Sequence, residues 1–354
     1  MSIIYKNADV FGKICDILVD DKKIADIGKF ETDGIDLLGQ KVFPGLVDVH
    51  AHGCIGYDTM DAKYLNEMST YLAKNGTTSW LPTTMTMSIG DIKKTVNVKL
   101  DNINGANVLG FHMEGPYISP KYKGAQNEDF IKNPSIDEFN EFENIKIITI
   151  APELEGSMDF IKKCKAIVSI GHSDADFDCA TEAINNGASC LTHTFNAMSP
   201  LHHRNPGIIG AAIDKEIYVQ VICDGTHIHK SVIKMLYKTF GKDRVVLISD
   251  SMCATGLSDG EYMFGGQKIN VVNSVARTED GAIAGSTSTL FTCVKKAIEF
   301  GIPEADAFYM ASTTPSEMLG IKKGKIEIGY DADFIVTDKD YNIKMTVIGG
   351  ERFI

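Results

Sequence analysis

The sequence predicts an α/β fold, a (β/α)₈ TIM-like barrel carrying a small β-sandwich domain formed by both chain termini. Three observations predict it. From residue 46 onward, short apolar, β-branched runs alternate with stretches mostly long enough to cross back as helices, the pattern of a parallel sheet. Eight such runs occur, the number that closes a barrel, and a span from 46 to about 320 suits that fold's usual length of roughly 250 residues plus an insertion. Both ends of the chain instead read as strand-turn-strand. An open doubly wound sheet is the competing arrangement, and no GxGxxG turn supports it.

In chain order the runs are Leu46–His52, Thr78–Thr83, Val108–Glu114, Lys146–Ala151, Ile167–His172, Ser189–His193, Tyr218–Cys223 and Val245–Asp250. They place the barrel at 45–324. After the eighth run, 256–285 is rich in Gly and turn residues and predicts β-hairpins that could flap over the barrel mouth. Residues 1–44 and 325–354 alternate apolar residues with Asp/Gly turns, and are expected to pair as one small β domain.

The 354 residues are 44% hydrophobic and 23% charged, which excludes a disordered or fibrous chain. Lys and Arg total 35 against 47 Asp and Glu, so the net charge of -12 repels nucleic acid and anionic membranes, and neither is expected as a partner. An anionic ligand would need a local basic pocket. No run approaches the roughly 20 apolar residues that span a bilayer, and the opening MSIIYKNADVFGK lacks a basic region followed by an apolar one. A soluble, cytoplasmic protein is expected. Eight cysteines without a CxxC or a short-spaced framework read as reduced core thiols.

The residues that carry chemistry fall at the C-terminal ends of the predicted strands, where barrel enzymes keep their active sites. In GLVDVHAHG, His50 and His52 are two apart, so both imidazoles share one face of a strand and can grip one ion. Glu114 ends the third run, His172 the fifth and His193 the sixth, and a carboxylate with two imidazoles suits Zn²⁺ or Fe²⁺. Taken alone, each of these histidines reads first as a hydrogen-bonded core residue; three strand ends together argue for a site. His112 shares the parity of Glu114 one layer deeper, and a supporting or packing role is expected. Asp250 closes the eighth run, where a carboxylate can take a proton from water and pass it to a leaving group. His227 can donate to a substrate carbonyl or hydroxyl, whereas His229 reads as a solvated helix start. The loop NAMSPLHHRNPG gathers Asn196, His202, His203 and Arg204, a local cluster able to bind phosphate. Neither a GxxxxGK[ST] loop nor a GxSxG elbow occurs.

Taken together, HAHG, HMEGPY with KGAQ, GHSDA, THTFNAM, NPG, DGTHIH and the late Asp, bracketed by a split β domain, resemble the N-acetylglucosamine-6-phosphate deacetylases of the amidohydrolase superfamily over essentially the whole chain. The resemblance implies hydrolysis of the N-acetyl group of N-acetyl-D-glucosamine 6-phosphate, in amino-sugar catabolism. It implies Glu114, His172 and His193 as the main metal ligands, Asp250 as general acid/base, and His227 as the residue that orients substrate and polarises its carbonyl. Ala125, Asn196, Ala197, Arg204, Ile283, Ala284 and Gly285 fall on substrate-contacting positions, Arg204 on the phosphate side. A phosphate pocket completed across a homodimer interface is also implied. The sequence has His50 and His52 where the one-metal branch has Gln and Asn, and Gln126 where that branch has His. It therefore resembles the two-metal branch, with Glu114 bridging and Asp250 near the first ion, so one or two divalent ions per subunit are expected. The fourth run, KIITIAPELEG, ends without the Lys that dihydroorotase-like relatives carboxylate. Another metal-dependent amidohydrolase, acting on a related acylated sugar or a cyclic amide, is the alternative.

Overall fold

The computed structural model describes residues 2–354. Its centre is a parallel barrel of eight strands, β1 (Leu46–Ala51), β2 (Thr77–Thr84), β3 (Phe111–Glu114), β4 (Ile145–Ile150), β5 (Ile167–Ile170), β6 (Ala188–Leu191), β7 (Tyr218–Ile222) and β8 (Val245–Ile248). Each strand pairs in parallel with the next, as from β4 to β5, where Ile147 faces Ile167 and Ile150 faces Ile170. The ring closes between β8 and β1 by a parallel bridge from Ala51 to Ser251, flanked by Asp250 N–H donating to His50 O at 2.9 Å and His52 N–H donating to Ser251 O at 2.7 Å. That closure sets three polar residues side by side at one rim.

The third run differs from expectation in its first half. Asn107–Val108 is a separate short strand against β2, and β3 begins only at Phe111. Gly110 lies between them at φ +137°, and a Cβ there would sit 2.5 Å from Asn144 O, so only glycine fits this break.

Inside the barrel, Leu81, Ile147, Cys190, Ile222 and Val246 form an apolar plug. A hydrogen-bonded chain accompanies it: His112 Nε2 meets Thr149 Oγ1 at 2.7 Å, Thr149 meets Thr192 at 2.8 Å, and Thr192 meets Ser169 at 2.6 Å. A larger cluster joins the outer strand faces to the helices, with Trp80 and Met113 buried alongside Met68, Phe160 and Leu236. The burial of such large side chains, about 1.5–3 kcal/mol each, drives the barrel together.

Strands from both chain ends form a separate sheet in which Lys41–Pro44 runs antiparallel to Phe334–Thr337, Val42 facing Val336. It curls until Lys23 bridges Asp331, enclosing Tyr5, Ile17, Val19, Phe334 and Val347. Phe43 of this small domain stacks on Phe308 of the helix Glu304–Leu319, which packs against β1 and β8, with ring centroids 3.7 Å apart. The segment after β8 forms a three-stranded antiparallel sheet, Gly260–Phe264, Gln267–Val272 and Val275–Thr278. No helix among the described residues is long and apolar enough to cross a membrane.

Candidate active site

Three of the chemistry-bearing residues leave their strands in the same way. His172, His193 and Asp250 each stand two residues beyond the end of β5, β6 and β8, with φ of +47°, +26° and +48°. Left-handed backbone is uncommon for side-chain-bearing residues and costs of order 1–3 kcal/mol each. Each turn breaks the strand where its side chain must reach the barrel axis. Glu114 is the last residue of β3, and His50 and His52 stand at the end of β1.

The side chains converge. Glu114 carries all four imidazoles around it: His193 Nε2 lies 3.0 Å from Oε1, His50 and His172 Nε2 each 3.3 Å from Oε1, and His52 Nε2 3.3 Å from Oε2. Asp250 Oδ1 lies 3.4 Å from His50 Nε2 and 3.3 Å from His52 Nε2. Two ligand sets result, His50–His52–Glu114 and Glu114–His172–His193, sharing the glutamate and buried throughout.

The tautomers show what these sets suit. His52 Nδ1 faces Thr83 O at 3.1 Å and His172 Nδ1 faces Tyr122 O at 2.8 Å. A carbonyl only accepts, so each Nδ1 carries the proton and each Nε2 offers a lone pair. His50 Nδ1 likewise meets Gln220 Oε1 at 3.0 Å. Yet Nε2 of His50 is 3.1 Å from that of His52, and Nε2 of His172 is 3.0 Å from that of His193. Lone pairs facing one another at such distances repel, and a cation between them removes the conflict. Imidazole nitrogens with carboxylate oxygens fit a borderline divalent ion. His193 Nδ1 and Gln220 Nε2 are buried without a hydrogen-bond partner.

The carboxylates pull the rings of His50 and His52 toward a proton, which a bound cation would have to displace from Nε2. Burial opposes charge on His52, but the Asp250 and Glu114 carboxylates outweigh it and hold its pKa up at about 10; His50 is raised for the same reason. Burial would lift Glu114, yet His50 and His172 hold it well below the carboxylate range, and Asp250 is lowered against its burial by His50 and His52. For His193 burial wins and the pKa falls. His112 is pushed well below the usual value by burial, its Nδ1–H donating to Val49 O at 3.1 Å, so it supports the site as a neutral ring.

A cavity of about 330 Å³ opens over this cluster. Ala125, Asn196, Ala197, His227, Ile283 and Gly285 line it, whereas Ala284 is fully buried behind the wall. Arg204 is exposed and borders a second cleft beside Asp174 and Asp176. His202 and His203 are exposed as well, and His229 caps the helix Lys230–Phe240 by accepting from Ser231 N–H. His227 Nδ1 lies 2.8 Å from Asp224 Oδ2, and Asp224 Oδ1 accepts from the backbone of Thr226 and His227. Burial would lower His227, but Asp224 overrides it and raises the pKa.

Sequence reasoning missed the residues that hold the site in place: Gln220 against His50, Thr83 against His52, Asp224 against His227, and the contact of Gln126 with Glu114. It also missed Met85 and Phe264, which line the cavity. Gln220 alone left a signal, as the one polar residue in the apolar run YVQVI.

Residues 42–353 match the family described as the amidohydrolase family. The chain belongs to the amidohydrolase family. Among its amidohydrolase relatives, the N-acetylglucosamine-6-phosphate deacetylase of Bacillus subtilis is 38% identical over 330 residues, covering 87% of this chain and 83% of that protein. The crystal structure of the enzyme of that name from Thermotoga maritima superposes with a TM-score of 0.91 at 33% identity, over 99% of both chains. A variant of the Mycobacterium smegmatis enzyme in complex with N-acetyl-D-glucosamine-6-phosphate gives 0.94 at 27% identity, over 100% of this chain and 99% of that one.

Proposed function

We propose that this chain hydrolyses the N-acetyl group of N-acetyl-D-glucosamine 6-phosphate, giving D-glucosamine 6-phosphate and acetate, in amino-sugar catabolism. The observation that carries the reading is the meeting of four imidazoles, Glu114 and Asp250 beneath one cavity. Relatives of that activity, aligned over most of their length, support it.

His50, His52, Glu114, His172 and His193 would hold one or two divalent ions, Zn²⁺ or Fe²⁺, with Glu114 shared and Asp250 against the first pair. Such an ion, when bound, polarises a carbonyl and lowers the pKa of water from 15.7 toward about 7. Asp250 takes the proton of the attacking water and returns it to the departing amine, which leaves poorly as an anion. His227, held at Nδ1 by Asp224 and kept protonated by that carboxylate, aims Nε2–H at the carbonyl oxygen as negative charge builds there; one such donor is worth about 2.7–4 kcal/mol. Ala125, Asn196, Ala197, Ile283 and Gly285 would contact the sugar, with Ala284 behind them.

Phosphate has to be met from outside. No Lys or Arg is among the described residues on the cavity wall, so a dianion needs cations brought to the mouth. This favours a homodimer in which Arg204, exposed beyond the loop after β6, serves the phosphate across the interface. Eight free cysteines favour a reducing compartment, the cytoplasm.

The test is acetate release from N-acetylglucosamine 6-phosphate, the unphosphorylated sugar and N-acetylgalactosamine 6-phosphate. Turnover of the first, with the unphosphorylated sugar far slower, is expected. Equal turnover with and without phosphate, or activity only on a cyclic amide, would refute it.

A further inference from the structure

A secondary amide is planar, and the trans form lies roughly 2.5–4 kcal/mol below the cis. In an N-acylated sugar the acyl chain and the sugar therefore point away from one another across the C–N bond. When the carbonyl carbon lies over the ligand cluster, a sugar that extends toward Asn196 and Ala197, on the loop after β6, sends its acyl chain to the opposite side of the mouth. In an eight-strand ring that side belongs to β2, next to β1.

Two apolar side chains stand there. Met85 directly follows β2, and Phe264, on the three-stranded insertion, sets its ring edge-on to His52 with centroids 5.5 Å apart. Both line the cavity, yet they are only 2% and 3% exposed, whereas Phe195 and Ile283 are partly open toward the mouth. An acetyl methyl is the one wholly apolar group of a substrate otherwise made of hydroxyls and phosphate, so the innermost apolar wall matches it. The wall is braced from behind. Gly265 N–H donates to Asp58 Oδ2 at 3.3 Å, Gln267 Nε2 donates to Ala125 O at 2.9 Å, and a Cβ on Gly265 would come within 2.8 Å of Met85 Cε. Met252, Ile269 and Ala284 fill the space beyond.

We propose that Met85 and Phe264 seat the acyl methyl and cap the length of acyl chain that the enzyme accepts. Resting on the deacetylase reading, this assigns the inserted sheet a selective role: it holds one half of the acyl pocket.

The experiment measures kcat/KM for N-acetyl, N-propionyl and N-butyryl glucosamine 6-phosphate. The wild type should lose about tenfold or more for each added methylene. Phe264→Ala and Met85→Ala should each raise the butyryl-to-acetyl ratio at least tenfold, and Phe264→Leu by less; the Leu variant also serves if the Ala variant does not fold. A wild type indifferent to chain length, or a ratio unchanged in every folded variant, overturns the acyl wall and leaves the deacetylase reading standing. Release of no carboxylate from any of the three by the wild type would instead sink that reading, and the wall with it.

Discussion

Gln126 grips Glu114: its Nε2 donates to Oε2 at 2.6 Å while its Oε1 accepts from Thr86 N–H at 2.7 Å, all three residues being buried. The shared carboxylate is thereby tied to the backbone just past β2. Gln126→Leu keeps the volume and removes both bonds. Partners that orient metal ligands typically contribute 10–100-fold in affinity. Titrating Zn²⁺ into ion-stripped protein should show a loss of about that size, and unchanged affinity would mean Glu114 needs no holding.

Replacing Asp250 tests proton transfer separately from ion capture. Asp250→Asn should lower kcat by about 10²–10⁴, the usual span for a lost acid/base. Glu114, His172 and His193 remain, so elemental analysis should still find an ion. Retained turnover would exclude the acid/base role.

Asp224 and His227 predict a pH effect whose sign is fixed. His227 is raised above 6.5, so its protonated donor form is complete below that value and disappears as pH rises through the higher one. Asp224→Asn removes the cause of the rise, and the alkaline limb of kcat/KM should move to lower pH. The pair also stabilises the fold in the interval where Asp224 is ionised and His227 protonated. That contribution fades on acidification through the lowered Asp224 pKa, and on alkalinisation through the raised His227 pKa. Urea midpoints across pH for wild type and variant check it; parallel curves would contradict it.

Chelation should destabilise the protein, because four imidazoles and two carboxylates then crowd one point without a cation. A ligand present at 100 times its Kd stabilises by about 2.7 kcal/mol. Adding Zn²⁺ or Fe²⁺ back should therefore raise the melting temperature with concentration, and an unresponsive melting temperature would count against the site.

The stacked rings of Phe43 and Phe308 predict a purely structural loss. Phe308→Ala empties a fully buried position, at a typical cost of about 3–5 kcal/mol. The urea midpoint should fall accordingly, with ion affinity unaltered.

The ligand set was legible because period-2 and strand-end positions are local features: His50 and His52 share a face, and Glu114, His172 and His193 each close an apolar run. The positive φ at His172, His193 and Asp250 was not legible, since these are not glycines and nothing in the local sequence marks a left-handed turn there. Gln126, Asp224 and Met85 lie in irregular segments with no periodicity to betray a direction. Phe264 looked like any strand residue until the insertion folded back over β1. Arg204 shows the converse limit: sequence placed it with Asn196, only a few residues away, while the structure turns it outward to another cleft.

The antiparallel pairing of Lys41–Pro44 with Phe334–Thr337 imposes an order on biosynthesis. A ribosome releases the first partner early and the second only after every barrel strand has emerged, so an apolar edge stays open to foreign chains meanwhile. The small domain can therefore be completed only at the end of synthesis, when Phe334–Thr337 becomes available to Lys41–Pro44.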